Sequence, residues 1–242
     1  MKLSGNTVLI TGGTSGIGYE FAAQLLKRGN TVIVTGRDWS RLEQAQRGLP
    51  GIHAFQSDVS NTRAIPLLFN AVIEKFPALN MLINNAGIMR EVNLLDQGTG
   101  LEDVGREIAT NLIGTVCMVK EFLPHLKSQA FAAIANISSG LAFVPLPIAP
   151  TYCAAKAGVH SFTLSLRVQL KGTPLTQTSL FREVHVEKVK GIRMMDVSKM
   201  VGKAIQGLER DHFEIRPGLS NVLKLMSRVA PEVILNRLSA NR

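Results

Sequence analysis

Two cysteines, Cys117 and Cys153, are all that 242 residues offer, so the chain lacks the material for a disulfide framework or a cysteine-rich metal site. Both sit in helix-like surroundings and read as buried thiols of a reducing compartment, which points to a cytoplasmic protein. Aromatic rings are scarce as well, with one Trp and two Tyr. The net charge of +9 invites a nucleic-acid partner, yet no basic run is interleaved with stacking rings. The basic residues are scattered, densest at Lys188, Lys190, Arg193, Lys199 and Lys203, and read as a solvated face that engages no nucleic acid. No stretch stays apolar for the ~18 residues of a membrane span, and Met1–Asn6 lacks the layout of a signal peptide. Internal repeats, low-complexity tracts and linkers are missing too. What remains, 45% hydrophobic and 19% charged residues, is the composition of one globular domain, residues 1–242, long enough to bury a core without staples.

Hydrophobic patterning then indicates the fold class. Short β-branched or apolar runs at Thr7–Ile10, Thr31–Thr35, Met81–Asn84 and Ala132–Ile137, with a weaker one at His53–Gln56, read as buried strands. Between them lie helical patterns: Ile17 to Leu26 closed by Gly29-Asn30, Trp39 to Arg47, Asn61 to Phe76, Leu101 to His125, and Tyr152 to Leu170. Strands alternating with helices predict a doubly wound parallel α/β sheet, Rossmann-like, with helices on both faces. Further on come a helix at Asp196–Arg210, a short strand at His212–Ile215, and an amphipathic C-terminal segment, residues 219–242. Its stripe of Leu219, Val222, Leu223, Met226, Val229, Val233 and Ile234 suits core or subunit packing better than a membrane surface.

Four local patterns carry chemistry. Thr11-Gly12-Gly13-Thr14-Ser15-Gly16-Ile17-Gly18 joins the first strand to the first helix. Glycine permits the turn at Gly12, lets backbone approach a phosphate at Gly16 and allows close helix packing at Gly18. The helix N-terminus behind it offers free N–H groups and a positive dipole end. Asn84-Asn85-Ala86-Gly87 closes the fourth strand, at the sheet edge where ligands bind; alone it reads as a plain turn. Asp58, followed by Val59, is either an acceptor for an adenine amino group or a cap for the next helix. Tyr152 and Lys156 stand one helical turn apart on one face. A nearby ammonium favours the phenolate, so a phenol placed this way can exchange a proton with a substrate oxygen near neutral pH. By itself the pair reads first as a surface ring and a solvated charge; its company, including Asn111 and Asn136-Ile137-Ser138-Ser139, argues otherwise.

Together these motifs resemble the short-chain dehydrogenase/reductase family. The resemblance runs from about Leu3 to Leu170 and returns weakly from Asp196 to Ile215; Ser139 stands thirteen positions before Tyr152, as in the family. It implies that Tyr152 is the general acid in reduction and the base in oxidation, that Lys156 tunes it and holds the nicotinamide ribose, and that Ser139 hydrogen-bonds the substrate oxygen. Ser138 is read as its structural neighbour. Asn111 is implied to order a water leading to Lys156. Gly12, Thr14, Ser15, Gly16, Ile17, Gly18, Arg37, Asp58, Val59, Asn85, Ala86, Gly87 and Thr178, with Tyr152 and Lys156, are implied to contact the cofactor. The reaction is hydride transfer between a nicotinamide cofactor and a small, mostly apolar carbonyl or alcohol, in a homodimer or homotetramer packed through Thr110–His125 and Tyr152–Leu170. A catalytically weak dinucleotide-binding sensor or scaffold is the alternative.

Cofactor choice rests on the second strand's end. An acidic side chain there binds a ribose diol and repels a 2′-phosphate. Here Val34-Thr35-Gly36 is followed by Arg37, which can grip a 2′-phosphate with two bonds. Asp38 competes as a diol ligand but lies past the strand and suits a helix cap. NADP is therefore the reading, with NAD the alternative. Around the expected mouth, Met89, Leu141, Phe143, Val144, Leu146 and Cys153 are apolar, while Arg90 suits either an anion or solvent. The family pattern departs after Leu170. Residues 172–195 are polar without clear period and read as a mobile substrate-side loop, and Leu175–Phe181 is too polar for a central strand. The expectation is either a disrupted sheet between the fifth strand and His212–Ile215 or residues omitted near Gly172–Pro174.

Overall fold

The computed structural model describes residues 1–96, 98, 100–182 and 195–239. Seven parallel strands form one sheet: β1 (Thr7–Thr11), β2 (Thr31–Gly36), β3 (His53–Gln56), β4 (Leu79–Asn84), β5 (Ala132–Ser139), β6 (Leu175–Arg182) and β7 (Glu214–Ile215), in the order β3-β2-β1-β4-β5-β6-β7. The chain winds outward from β1 to β3, then returns to pair β4 with the other side of β1. The strand order therefore reverses between β1 and β4, and a crevice opens there beyond the carboxyl ends of the strands.

Helices cover both faces. On one, α1 (Gly16–Lys27), α2 (Trp39–Gly48) and α7 (Val197–Glu209) pack Phe21, Leu25, Leu42, Val201 and Ile205 against Val8, Ile10, Val32 and Val34. On the other, α3 (Ala64–Lys75) and α5 (Gly114–Ser128) pack Leu68, Val72, Phe122 and Leu126 against Leu9, Leu79, Leu82 and Ile134. Strands buried on both faces explain why β1 and β2 read as continuous apolar runs rather than alternating ones. The helix expected from Leu101 to His125 is interrupted: α4 (Leu101–Ile108) passes through a π-helical turn, Ala109–Ile113, before α5 begins. Such bulges mark functional positions, and Asn111 sits within this one. The C-terminal stripe divides at Pro231 into α8 (Ser220–Val229) and α9 (Pro231–Ser239). Leu223 packs over Gly140, whereas Val222, Val229 and Val233 are exposed.

The expectation of a broken sheet is overturned. The chain leaves α6 (Pro150–Gln169), turns through residues 170–174 with Gly172 at φ +82°, and enters β6 directly. β6 pairs with β5 along its full length, from Ala132 opposite Leu175 to Ser139 opposite Arg182. Among the described residues β7 pairs with β6 at Ser179 and Leu180, and the Ser179 N–H donates to the Phe213 carbonyl at 2.8 Å. Buried Thr178 donates its hydroxyl to the His212 carbonyl at 3.1 Å, next to β7. The loop expected at 172–195 thus yields its first half to a strand; residues 183–194, including Lys188, Lys190 and Arg193, lie outside the described residues.

Candidate active site

The crevice at the strand-order reversal holds about 690 Å³. Its lining contains Gly12, Thr14, Ser15, Gly16, Ile17, Arg37, Asp58, Val59, Asn85, Ala86 and Gly87, all singled out from the sequence. Gly12 turns the chain at φ +66°, and a Cβ there would meet the Ala86 Cα at 2.9 Å. Gly16, at φ +54°, faces open space at the start of α1, where the helix presents unbonded N–H groups and no acidic side chain in its first turn. Gly18 is not in the lining. A Cβ on it would strike the Gly12 carbonyl oxygen at 2.3 Å and Asn85 Nδ2 at 2.5 Å, so it serves the close packing of helix on loop. Thr11 ties the two sides of the crevice together: its Oγ1 accepts from the N–H groups of Asn85 and Ala86, each at 3.0 Å.

These residues fit a dinucleotide. Ser57 Oγ, Asn85 Oδ1 and Thr110 Oγ1 are buried at the crevice with no hydrogen-bond partner among the described residues, which suits donors and acceptors supplied by a polar ligand. Two arginines, Arg37 and Arg41, line the wall beyond the end of β2. Asp38 lies between them as the N-cap of α2, its Oδ1 accepting from the N–H groups of Ser40 and Arg41. The hydrogen bond from the Ser40 side chain leads the contacts that lower its carboxyl below the usual range. Asp58 is likewise engaged, accepting from Ser60 N at 2.9 Å and Ser60 Oγ at 2.7 Å.

Past Gly87 the crevice meets a buried cluster. Tyr152 and Lys156 lie on α6, whose first position is Pro150, and their side chains are 0% and 1% exposed. Lys156 Nζ donates to the Ile137 carbonyl at 2.8 Å and stands 5.9 Å from the centroid of the Tyr152 ring. Ser138 and Ser139, neighbours on β5, divide their work. Ser138 Oγ donates to the Lys156 carbonyl at 2.9 Å, pinning α6 to the sheet, while Ser139 Oγ accepts from Leu141 N at 3.1 Å at the strand end. Asn111 grips Ile88 twice: Oδ1 accepts from Ile88 N and Nδ2 donates to Ile88 O, both at 2.8 Å. An apolar collar of Leu141, Leu146, Ala149 and Cys153, with Met89 and Ile148 against it, packs around Tyr152. Burial pushes the Cys153 thiol above its usual range, ahead of an opposing hydrogen bond with Leu146.

Two expectations come out differently. Thr178 lies mid-strand, opposite Ala135, buried and bonded to His212; the register puts it four residues before the carboxyl edge, away from the crevice. Arg90 remains partly exposed but is not a lone cation: its guanidinium pairs with Asp103 at 2.6 Å, which raises the Arg90 pKa and lowers that of Asp103. The sequence reading also missed Arg41, Ser57, Ile88 and Thr110 in the crevice. Arg41 had a signal, a second basic residue four positions after Arg37 in the first turn of the helix expected there; Ser57 had none. Among the described residues no three His, Cys, Asp or Glu gather to hold a metal, and no helix is long and apolar enough to cross a membrane.

Comparison with known proteins agrees with this geometry. A family model described as short chain dehydrogenase matches residues 6–179. Over 224 residues, covering 89% of each chain, the protein is 40% identical to an uncharacterized oxidoreductase, DltE, of Bacillus subtilis. It is 30% identical over 243 residues to the 11-beta-hydroxysteroid dehydrogenase-like 3 protein of Arabidopsis thaliana, covering 94% of this chain and 78% of the relative. A short chain dehydrogenase from Burkholderia cenocepacia, solved in complex with NADP, superposes with a TM-score of 0.85 at 24% identity, over 98% of this chain and 99% of its own. A Burkholderia phymatum counterpart in complex with NAD gives 0.82 at 20%, over 98% and 97%. The chain belongs to the short-chain dehydrogenase/reductase family and, as its member, is an NAD(P)-dependent oxidoreductase.

Proposed function

We propose that this protein interconverts a carbonyl and an alcohol on a small, mostly apolar substrate with NADP(H), Tyr152 exchanging the proton. The observation that carries the reading is the convergence of Tyr152, Lys156, Ser139 and Asn111 at the carboxyl edge of β4 and β5, where the glycine-loop crevice ends. When bound, the dinucleotide supplies the hydride; the chain supplies position and the proton.

The roles follow from the local geometry. The α1 N-terminus and the Gly12–Gly18 loop hold the pyrophosphate, and Arg37 and Arg41 hold the 2′-phosphate with charge-assisted bonds. Lys156, anchored on the Ile137 carbonyl, sets a positive charge beside the Tyr152 ring. Tyr152, beside that charge, gives a proton to the substrate oxygen during reduction and accepts one during oxidation. Ser139 donates to the substrate oxygen, and the Leu141–Cys153 collar excludes water and selects an apolar body around the reacting carbon. Asn111 fixes the backbone just after Gly87, so the floor of the nicotinamide pocket holds its shape. The exposed Ile113, Leu164 and Val168 on α5's approach and α6 support a homodimer or homotetramer packed through these helices, and the unpaired Cys117 and Cys153 support a cytoplasmic location.

The experiment is a cofactor titration followed by a panel of ketones and aldehydes, with NADPH consumption as readout. Turnover with NADPH preferred over NADH supports the reading. Tight cofactor binding without turnover of any carbonyl or alcohol refutes it.

A further inference from the structure

Glu107 is fully buried, yet it belongs to none of the motifs that identify the family. It sits in α4, one turn before Asn111, and its carboxylate bridges two other segments. Oε1 accepts from the backbone N–H of Arg90 at 2.6 Å, in the stretch that follows β4. Oε2 accepts from the Thr151 hydroxyl, in the first turn of α6 and next to Tyr152. A buried carboxylate costs several kcal/mol in lost hydration unless hydrogen bonds replace the water. Here two charge-assisted bonds do so, and the positive end of α6 lies beside it. A leucine would fill the space without that cost, so the bridge itself needs an explanation.

The spacing supplies one. Residues 88 and 90 of an extended segment are separated by about 6.6 Å along the chain. Side chains four apart on a helix are separated by about 6 Å. Asn111 and Glu107 therefore reach alternate backbone N–H groups of one strand-like stretch, Asn111 taking Ile88 and Glu107 taking Arg90. That stretch carries Gly87, which abuts Asn111 and Lys156, and Met89, which packs on the collar around Tyr152. Glu107 extends this ladder to Thr151 on α6, alongside the Val92 N–H, which donates to the Ile148 carbonyl at 2.9 Å just before that helix.

Resting on the reading of Tyr152 as proton donor, we propose that Glu107 is a positioning residue that clamps the Gly87–Val92 stretch to the first turn of α6, holding Tyr152 in register with the nicotinamide pocket. The partner through which it acts is Thr151, and the consequence falls on the chemical step more than on cofactor binding, because the crevice lining on this stretch stops at Ile88 and includes none of Arg90, Glu107 and Thr151.

The test uses Glu107→Ala, Glu107→Gln, Thr151→Val and Thr151→Ser in the full-length chain. Gln keeps an acceptor for Arg90 and an amide for Thr151; Ser keeps the hydroxyl. With NADPH and the best carbonyl of the panel, Glu107→Ala is expected to lower kcat by about 10–10²-fold, the scale of a lost charged hydrogen bond or a 1 Å misplacement, with NADPH affinity little changed. Glu107→Gln is expected to recover most of it, and Thr151→Val to fall in the same direction while Thr151→Ser recovers. An arm free of turnover follows the Arg90 amide by hydrogen exchange: Glu107→Ala should strip its protection while the Ile88 amide, held by Asn111, keeps its own. A folded Glu107→Ala with wild-type kcat, or an Arg90 amide still protected in it, overturns the clamp. If Glu107→Ala does not fold, wild-type kcat in Thr151→Val overturns it instead. If the wild-type protein reduces nothing, the functional reading has failed, and the exchange arm alone decides the clamp.

Discussion

Gly87→Ala tests the geometry of the site with one methyl group. Gly87 does not occupy the left-handed region, so alanine brings no backbone strain; the effect is steric. The added Cβ would lie 2.9 Å from Asn111 Oδ1 and 3.5 Å from Lys156 Nζ. The second distance is ordinary contact. The first is not, and Asn111 cannot simply swing aside, because its amide is held by two 2.8 Å bonds to Ile88. Moving it breaks the bond that satisfies Ile88 N–H, and a buried donor left unpaired costs about 1–3 kcal/mol. Overpacking in a tight interior costs a similar amount, so the two estimates describe one event and are not added. At about 2–4 °C per kcal/mol for a chain this size, the melting temperature should drop measurably. If the displaced Asn111 also disturbs the pocket floor in the transition state, kcat/KM for NADPH-dependent reduction falls by about 5–150-fold, the same energy read as a rate. Gly105→Ala is the control. It is an exposed position inside α4 with nothing near its Cβ, where alanine should stabilise the helix by about 0.5–1 kcal/mol. Thermal unfolding and steady-state kinetics of both variants give the answer. A Gly87→Ala enzyme as stable and active as the wild type would mean that Asn111 and Gly87 do not touch as described.

Other expectations are as direct. Tyr152→Phe should lose turnover by about 10²–10⁴-fold while NADPH still binds; near wild-type rates on any good substrate would remove Tyr152 from the chemistry. Arg37→Ala should weaken NADPH by about 1.5–3 kcal/mol in a fluorescence titration and leave NADH alone, whereas equal losses for both would speak against a 2′-phosphate contact. Asp38→Ala should lower the melting temperature through the lost α2 cap without changing the NADPH/NADH preference; a collapse of NADH binding would make Asp38 a diol ligand after all. His160 gives a pH dependence. Its ring packs against Phe143 and Phe181 and stands 3.9 Å from Glu214, which also bonds Lys224 and Arg216. Burial, outweighing the attraction of Glu214, depresses its pKa below the ordinary value. The unfolded chain therefore binds the proton first, and stability falls as pH drops through about 6.5 toward the lower folded-state value. Denaturant melts of His160→Gln should show a flatter slope across that window than wild type; parallel slopes would rule the group out.

Sequence alone reached those features whose information is local. Strand runs closed by glycine, the Gly12–Gly18 loop, Asn85-Ala86-Gly87, Asn111, Ser139 and the Tyr152–Lys156 spacing each occupy a few consecutive residues or one helical turn. The strand runs and the glycine loop take their meaning from backbone geometry that any parallel α/β sheet repeats, whereas the roles of Asn111, Ser139, Tyr152 and Lys156 are what the family resemblance implies. Even the divided roles of Ser138 and Ser139 follow from the alternation of a strand. Tertiary structure decided what depends on neighbours distant in the chain. Leu175–Arg182 looks too polar for the sheet interior, but β5 offers it eight residues of ladder, so pairing outweighs composition. Thr178 changes from a presumed cofactor contact to a buried strand residue because register, not motif order, sets its distance from the carboxyl edge. Arg90 is claimed by Asp103, Asp38 by the α2 N-terminus, and Glu107 by Arg90 and Thr151. A polar side chain's role is set by which partner burial brings within hydrogen-bond reach, and that is a property of the packed chain, not of the residues beside it in sequence.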